Sequence, residues 1–333
     1  GELIPLNVMK ELGGKDNLNM TLLALNLSEF VNGVAKKHRD ISKNMFPGYE
    51  ISSITNGVHS YTWTCDSLKR LYDKYLPGWA NEPELFVRVG RIPDEELWAA
   101  HIEAKKVLID FVNSETNAGM DYDTLTIGFA RRATAYKRAD LIFSDIERLE
   151  RIASGKIQLV YSGKAHPKDD HGKWLIEKIH VIKEKLKGKI KIAYLKNYDM
   201  EKALKLVSGV DIWLNTPLRP HEASGTSGMK AAHNGVINFS VLDGWWIEGH
   251  IEGFTGWAIG PSPTETMLTD DVEAIDKRDA DDLYNKLEAI IIPMYYNERH
   301  TWIRMMQNAI GKNAYYFNSH RMMRRYVTEA YIR

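Results

Sequence analysis

A single cysteine, Cys65, stands among the 333 residues, which excludes an intrachain disulfide and fits a reducing compartment, read as the cytoplasm. No apolar run approaches the roughly 20 residues that span a bilayer, and residues 1–10 lack the charged-then-apolar pattern of a secretory signal. Net charge is missing too: 44 basic and 44 acidic side chains cancel, so no overall field draws the protein to nucleic acid or an anionic membrane. There is no low-complexity tract and no repeat with a period of roughly 20 to 50 residues. The chain opens without methionine and in mid-pattern, which reads as a piece of a longer protein.

What is present describes a globular chain, with 44% apolar and 26% charged residues, long enough for two domains of ordinary size. Apolar residues at helical spacing predict a helix over Asn19–His38, followed by a short apolar segment, Ile51–Ile54. Ser67–Tyr75 and Pro93–Val112 read as connecting helices, and Asn113–Asp123 as a polar loop. Short apolar runs then alternate with helical stretches. The runs are Leu125–Ala130, Ile157–Tyr161, Ile190–Leu195, Val210–Leu214 and Val236–Val241; the helices are Asp140–Ala153, Lys173–Leu186, Met200–Val207 and Thr226–His233. That alternation predicts an α/β domain with a parallel, Rossmann-like sheet covered on both faces. Ala280–Arg333 reads as further helices rich in Met, Tyr and Arg.

Ligands of such sheets bind beyond the carboxyl ends of the strands, and two unusual segments follow predicted strands. After Ala130 come Arg131, Arg132, Lys137 and Arg138, four cations in eight residues. Forked guanidinium donors and a compact ammonium suit phosphate, and two anions could be held there. A solvated basic turn is the bland reading of the same charges. After Leu214 comes a loop with small hydroxyl residues and two glycines, leading into a helix with Lys230 about one turn inside. Its composition is that of a phosphate cradle, and a desolvated lysine near cations has a lowered pKa and can condense with an aldehyde. A flexible loop with an exposed lysine is the alternative.

The segment Glu222–Lys230, EASGTSGMK, with Asn234-Gly235 and Leu242-Asp243-Gly244 after it, resembles the cofactor-lysine signature of the α-glucan (glycogen, starch and maltodextrin) phosphorylases. Residues 30–38 (FVNGVAKKH), Thr55-Asn56-Gly57-Val58, Tyr136-Lys137-Arg138, Ser162-Gly163-Lys164-Ala165 and Trp302-Ile303-Arg304-Met305 fall in that family's order and approximate spacing. Residues 127–132 and 243–246 are most similar to the bacterial and archaeal branch. The resemblance covers nearly the whole chain and roughly the C-terminal half of a family member. It implies a two-domain, glycosyltransferase-B-type architecture. Residues 1–64 would be the C-terminal remnant of an N-terminal Rossmann-like domain. Residues 65–333 would be the C-terminal cofactor domain, with connector helices at 65–123 and C-terminal helices at 280–333.

The resemblance also implies roles. Lys230 carries pyridoxal 5′-phosphate as a Schiff base. Thr226, Ser227 and Arg131 hold the cofactor phosphate, and Tyr198 contacts the cofactor. Arg132 and Lys137 bind the substrate phosphate, while Tyr136, Glu222, Ser224 and Gly225 bind the reacting glucose. The reaction implied is phosphorolysis of an α-1,4-glucan by orthophosphate to glucose 1-phosphate with retention, the cofactor's 5′-phosphate acting through the substrate phosphate. Partners implied are the glucan, the missing N-terminal half and further copies of the complete protein. Glu29 stands where animal and plant members have a histidine that touches the sugar, and Asp199 where many members have an arginine. The family's glycine-rich phosphate loop has no counterpart here. The chain alone is therefore expected to have little activity, and to expose a face lined by Thr55–Val58 and the helix around Val31.

Three other features are set aside. His166, Asp169, Asp170 and His171 read as turn chemistry rather than a metal site. Trp245-Trp246 reads as core or interdomain packing rather than a sugar platform, and the Met and Tyr residues at 294–326 as helix packing. A nucleotide-sugar glucosyltransferase would carry a second glutamate where Lys230 stands, and a lysine cannot accept ribose hydroxyls. A non-catalytic remnant would be expected to lose Arg132, Lys137 and Lys230, all of which are present.

Overall fold

A computed structural model describes residues 4–261 and 271–332. Helices α1 (Leu6–Gly13), α2 (Met20–Asn26) and α3 (Lys36–Met45) and the short parallel strands β1 (Asn32–Gly33) and β2 (Ser52–Ser53) form the N-terminal part. The helix predicted over Asn19–His38 is thus two helices with extended chain between them. Asn19 starts α2, its side chain accepting from the Thr21 and Leu22 N–H groups. Gly33 then lets β1 run against the start of α3, where a Cβ would meet the Arg39 nitrogen at 2.6 Å. Several large apolar side chains here face outward: Ile4, Leu6, Leu18, Met20, Leu27 and Met45.

After the short helix α4 (Ser60–Trp63) come α5 (Asp66–Tyr75) and α6 (Asp94–Thr116). Pro93 precedes α6, and Asp94, Glu95 and Glu96 fill its first turn, where carboxylates favour the helix dipole. It runs past Val112 into the stretch expected as loop and stops at Asn117, whose backbone is left-handed (φ 51°).

A six-stranded sheet follows, made of β3 (Leu125–Ala130), β4 (Ile157–Ser162), β5 (Lys191–Leu195), β6 (Ile212–Asn215), β7 (Ile237–Val241) and β8 (Gly256–Ile259). Its order is β5-β4-β3-β6-β7-β8 and every pairing is parallel. The connecting helices are α7 (Ile146–Ala153), α8 (Asp170–Lys185), α9 (Met200–Gly209), α10 (Ser227–His233) and α11 (Trp246–Gly249). The five predicted strands all form. The sixth, β8, is too short and Gly-flanked to stand out in the sequence. Successive side chains point to opposite faces: Ile127, Phe129, Ile212 and Leu214 join one apolar core, while Ala130, Val210 and Trp213 join a second core under α6 and α9.

The last helices are α12 (Val272–Lys286), α13 (Ile292–Asn297), α14 (Arg299–Asn308) and α15 (Ser319–Tyr326). They begin at Val272 rather than Ala280, and Arg333 lies outside the described residues. Tyr295, Trp302, Met305 and Met306 are buried, as helix packing requires. The end of the chain also covers the segment expected to be bare. Thr55 and Val58 are buried, and Arg321 donates to the Thr55 and Asn56 carbonyls at 2.6 and 3.0 Å. The Val58 N–H donates to the Phe317 carbonyl, and Thr55 Oγ1 donates to Glu248. Val31 sits in extended chain rather than a helix. The exposed face expected along Thr55–Val58 is therefore absent, because α15 returns to lie on it.

At the amino ends of β3 and β6, Asp211 is fully buried beside Lys105 (2.6 Å) and His101 (2.8 Å), and accepts the Thr126 N–H at 2.7 Å. Burial raises the Asp211 carboxyl, but Lys105 and His101 outweigh it and hold the pKa below its ordinary value. Removing one partner of a buried pair strands the other charge. Asp211→Ala should therefore cost about 3–5 kcal/mol in urea denaturation. Lys105→Met should cost less, because Asp211 keeps its contacts to His101 and the Thr126 N–H. Equal losses would refute this assignment of charge.

Candidate active site

The chain runs from β3 outward to β4 and β5, then crosses back so that β6 lies on the other side of β3 and leads to β7 and β8. At such a reversal the loops diverge and leave a crevice beyond the carboxyl ends of the two central strands. Residues 131–138 leave β3 at this point, and residues 216–226 leave β6. Both unusual segments of the sequence therefore meet at the place where this fold offers a ligand site.

Main-chain contacts stitch the two loops together. The Leu218 N–H donates to the Tyr136 carbonyl at 2.7 Å, and Thr216 Oγ1 donates to the Lys137 and Arg138 carbonyls. Arg138 completes the stitch. It is buried, its backbone is left-handed (φ 47°), and it donates to the Thr216 and Pro217 carbonyls. It also pairs with Asp276 and Asp279, each at 2.7 Å. Arg138 is therefore not a cation open to anions, as its place in the basic cluster suggested. A buried guanidinium needs its donors matched, and these four groups match them.

Glu222 lies between two of the remaining three cations. Its Oε2 is 2.7 Å from Arg131 Nη2 and 2.6 Å from Lys137 Nζ, with all three side chains largely buried. Lys137 Nζ also sits 4.4 Å from the centre of the Tyr136 ring. Burial and the Arg131 charge bring the Lys137 ammonium down to about 8, with Glu222 pulling the other way. Burial raises the Glu222 carboxyl, but Arg131 and Lys137 prevail and hold it below its ordinary value. Glu222 Oε1 accepts no hydrogen bond from the described residues. Arg132 is exposed and makes no ion pair among them. Three cations against Glu222 and the nearby Asp243 leave the cluster with positive charge in excess, which suits a phosphate.

Asp243 places Glu222. Its carboxylate accepts the Glu222 and Gly244 N–H groups, both at 2.9 Å, and burial pushes its pKa up to about 6. Gly244 is left-handed (φ 55°), and a Cβ there would meet the Ser224 carbonyl oxygen at 2.3 Å. That carbonyl instead accepts the Trp245 N–H. Ser224 is buried with its hydroxyl on the Gly225 carbonyl, and Gly225 turns the chain at φ 72°. Trp245 and Trp246 are buried in the core beneath this loop.

Lys230 stands apart from the basic loop. Its ammonium lies 3.7 Å from the centre of the Trp63 ring and makes no hydrogen bond or ion pair among the described residues. Burial lowers its pKa. Trp63 is held by Asn234, whose side chain donates to the Trp63 carbonyl at 2.6 Å and accepts the Cys65 N–H at 2.9 Å. Next to it, His233 donates through Nδ1 to the Met229 carbonyl and accepts from Ser60 through Nε2. Burial brings His233 down to about 4, so it is neutral. Thr226 precedes α10, its carbonyl accepting the Lys230 N–H, and Ser227 Oγ accepts from Trp213 Nε1 at 3.0 Å. Residues 227 and 230 share one face of the helix. Tyr198, like Trp63, packs against the second core, and burial pushes its hydroxyl up to about 12.

The structure thus gathers Arg131, Tyr136, Lys137 and Glu222 into one cluster, and sets Ser227 and Lys230 on one helix face. Trp63, Trp213 and the buttressing Asp243 carry roles that sequence reasoning did not assign. Asp243 stood within a quoted motif, but nothing local marks either tryptophan. Asp199 caps α9, accepting the Lys202 N–H, and Glu29 is exposed. Asp169 caps α8 through the Gly172 N–H, which is turn chemistry as expected.

The charge balance at Lys137 gives a test. Lys137 should titrate near 8, protonated below and neutral above. Glu222→Gln removes the charge that supports the ammonium, so the midpoint should move to lower pH, while Arg131→Ala should move it upward. The rate of Lys137 acylation against pH, followed by mass spectrometry, measures both. A midpoint unmoved by Glu222→Gln would refute the pairing.

Comparison with known proteins now adds to this geometry. A family model for carbohydrate phosphorylases matches residues 4–252. The chain is 42% identical to a maltodextrin phosphorylase of Thermococcus litoralis, over 99% of this chain and 43% of that protein. It is 40% identical to a glycogen phosphorylase of Aquifex aeolicus, over 95% and 50%, and 34% identical to one of Mycobacterium tuberculosis, over 98% and 42%. The chain spans about half the length, or less, of these relatives. Taken with a parallel sheet whose switch-point loops bear a cationic cluster and a half-buried lysine, these matches mean that the chain belongs to the carbohydrate phosphorylase family.

Proposed function

We propose that this chain forms the cofactor-bearing part of an α-glucan phosphorylase. The enzyme uses pyridoxal 5′-phosphate on Lys230 and orthophosphate to release glucose 1-phosphate from an α-1,4-glucan with retention. The observation that carries the reading is Lys230 itself. Its amine is half-buried, lowered in pKa by burial and free of any carboxylate among the described residues, on the helix that follows the loop after β6. An aldehyde condenses with the neutral amine, and burial moves Lys230 in that direction. The residues present fit the cofactor. Trp63 gives an apolar wall beside Lys230, and Thr226 and Ser227 bring hydroxyls and main-chain donors to the start of the same helix.

In this reading the cofactor, when bound, supplies a phosphate that shares a proton with the substrate phosphate. This chain's residues do the rest. Arg131, Thr226 and Ser227 hold the cofactor phosphate. Arg132, open to solvent, and Lys137 bind the incoming phosphate; without such cations two neighbouring phosphates would repel. Glu222 keeps Oε1 for sugar hydroxyls, with Tyr136 and the Ser224 and Gly225 amides beside it. A carboxylate accepting hydroxyls can tighten its hold as positive charge forms on the sugar. Asp243 fixes the main chain from which Glu222 projects.

The proposal extends to architecture. Residues 1–64 belong with an N-terminal domain and 65–333 with the cofactor domain of a two-domain, glycosyltransferase-B-type enzyme that works in the cytoplasm as an oligomer. The half-length match to the relatives supports a cleft whose other wall lies outside this chain.

Three outcomes test the reading. Borohydride added to cofactor-saturated protein should fix the cofactor's mass on the peptide containing Lys230, and recovery of that peptide unmodified would sink the assignment. Arg132→Ala and Lys137→Ala should weaken phosphate use far more than cofactor retention. Phosphate affinity should also fall as pH rises through about 8, where Lys137 loses its proton; equal loss of phosphate and cofactor would refute the division of roles. Finally, missing one set of preorganised donors commonly costs about a hundredfold or more. The chain alone should therefore form glucose 1-phosphate from maltodextrin far more slowly than with the N-terminal half added in trans. Full turnover by the lone chain would refute the split site.

A further inference from the structure

We infer that Trp213 is a positioning residue for the cofactor site: its indole N–H makes the Ser227 hydroxyl a donor aimed at the cofactor's phosphate. The inference rests on the proposed cofactor reading. Trp213 sits on the central strand β6, fully buried, and its Nε1 is 3.0 Å from Ser227 Oγ. An indole N–H can only donate, so Ser227 must accept through a lone pair. The hydroxyl proton is then turned away from Trp213, and no described residue accepts it. A serine free to rotate can offer either a lone pair or a proton to a ligand. With one lone pair engaged, this one keeps its proton and a single further lone pair, and the proton, turned away from the indole, is what an anion needs.

The indole itself has little freedom. Gly128 of β3 pairs in register with Trp213, and a Cβ at that glycine would lie 3.4 Å from the indole ring and 2.8 Å from Val210. The missing side chain makes the slot, and Val210, Leu206 and Ala231 share the core around it. Ser227 lies three residues before Lys230 on α10, so the oriented hydroxyl and the cofactor lysine face the same space. Packing alone would explain a buried tryptophan. It does not explain why the one N–H of that side chain ends on a hydroxyl that has no other partner.

The test separates the ester from the ring. Apo-protein is titrated with pyridoxal 5′-phosphate and with pyridoxal, which lacks the phosphate, and the ratio of the two affinities is read from the absorbance of the bound aldehyde. Trp213→Phe keeps the ring and removes the N–H. It should lower the preference for the phosphate ester about tenfold, the scale of one hydrogen bond to a charged group, and leave pyridoxal binding unchanged. Ser227→Ala should lower the preference similarly, Ser227→Thr should keep it, and Trp213→Phe should add nothing in the Ser227→Ala background. A merely structural tryptophan would weaken both ligands equally, and that result overturns the inference. If Trp213→Phe does not fold, Ser227→Ala decides: an unchanged ratio refutes the role. An unmodified chain that takes up neither aldehyde would defeat the proposed function and this inference together, whereas uptake of both with ratios indifferent to these substitutions defeats the inference alone.

Discussion

The site depends on one buried guanidinium. Arg138 binds two carbonyls of the neighbouring loop and two carboxylates of α12, and Asp279 holds Arg219 from that loop as well. Burying such a charge is costly unless every donor is matched, so the loops after β3 and β6 have one arrangement in which the cost is met. In that arrangement Lys137, the residue before Arg138, stands within hydrogen-bond reach of Glu222. The basic loop therefore contains two kinds of cation: one that builds the crevice and three that face it.

Two lysines in the crevice have lowered pKa values for different reasons. Lys137 is surrounded by charge, and its proton affinity is a balance of burial, a like charge and an opposite one. Lys230 has no charged partner, and burial against an aromatic ring acts alone. The first lysine stays an ammonium through neutral pH and suits an anion. The second is eased toward the neutral amine, as covalent work requires. The two differ because Glu222 answers the charge of one and does not reach the other.

The parallel sheet was legible because its strands are continuous apolar runs, and each predicted run is a strand within a residue or two of its observed ends. The cationic loop and the lysine loop were legible because they follow β3 and β6. What remained hidden was long-range. Arg138 looks like its neighbours in sequence, and only Asp276 and Asp279, far along the chain, make it structural. Trp63 and Trp213 carry no local signal, since a tryptophan in an apolar segment reads as core whatever its N–H or ring face touches. Thr55–Val58 looked bare because its cover, α15, lies more than 250 positions away. The helix expected across Asn19–His38 failed because apolar spacing continued through a stretch that Gly33 and its pairing with β2 hold extended.

The surroundings of Lys230 have a consequence in time as well as in space. Asn234, His233 and the Lys230 helix are fastened to Ser60, Trp63, Cys65 and Tyr72, 161 to 173 positions earlier in the chain. Closing such distant contacts costs chain entropy that nearby ones do not, so they form slowly. The strands between them pair with neighbours at shorter range and can order first. The lysine's aromatic wall is thus the part of its surroundings that carries the larger closure entropy, and the sheet can stand without it.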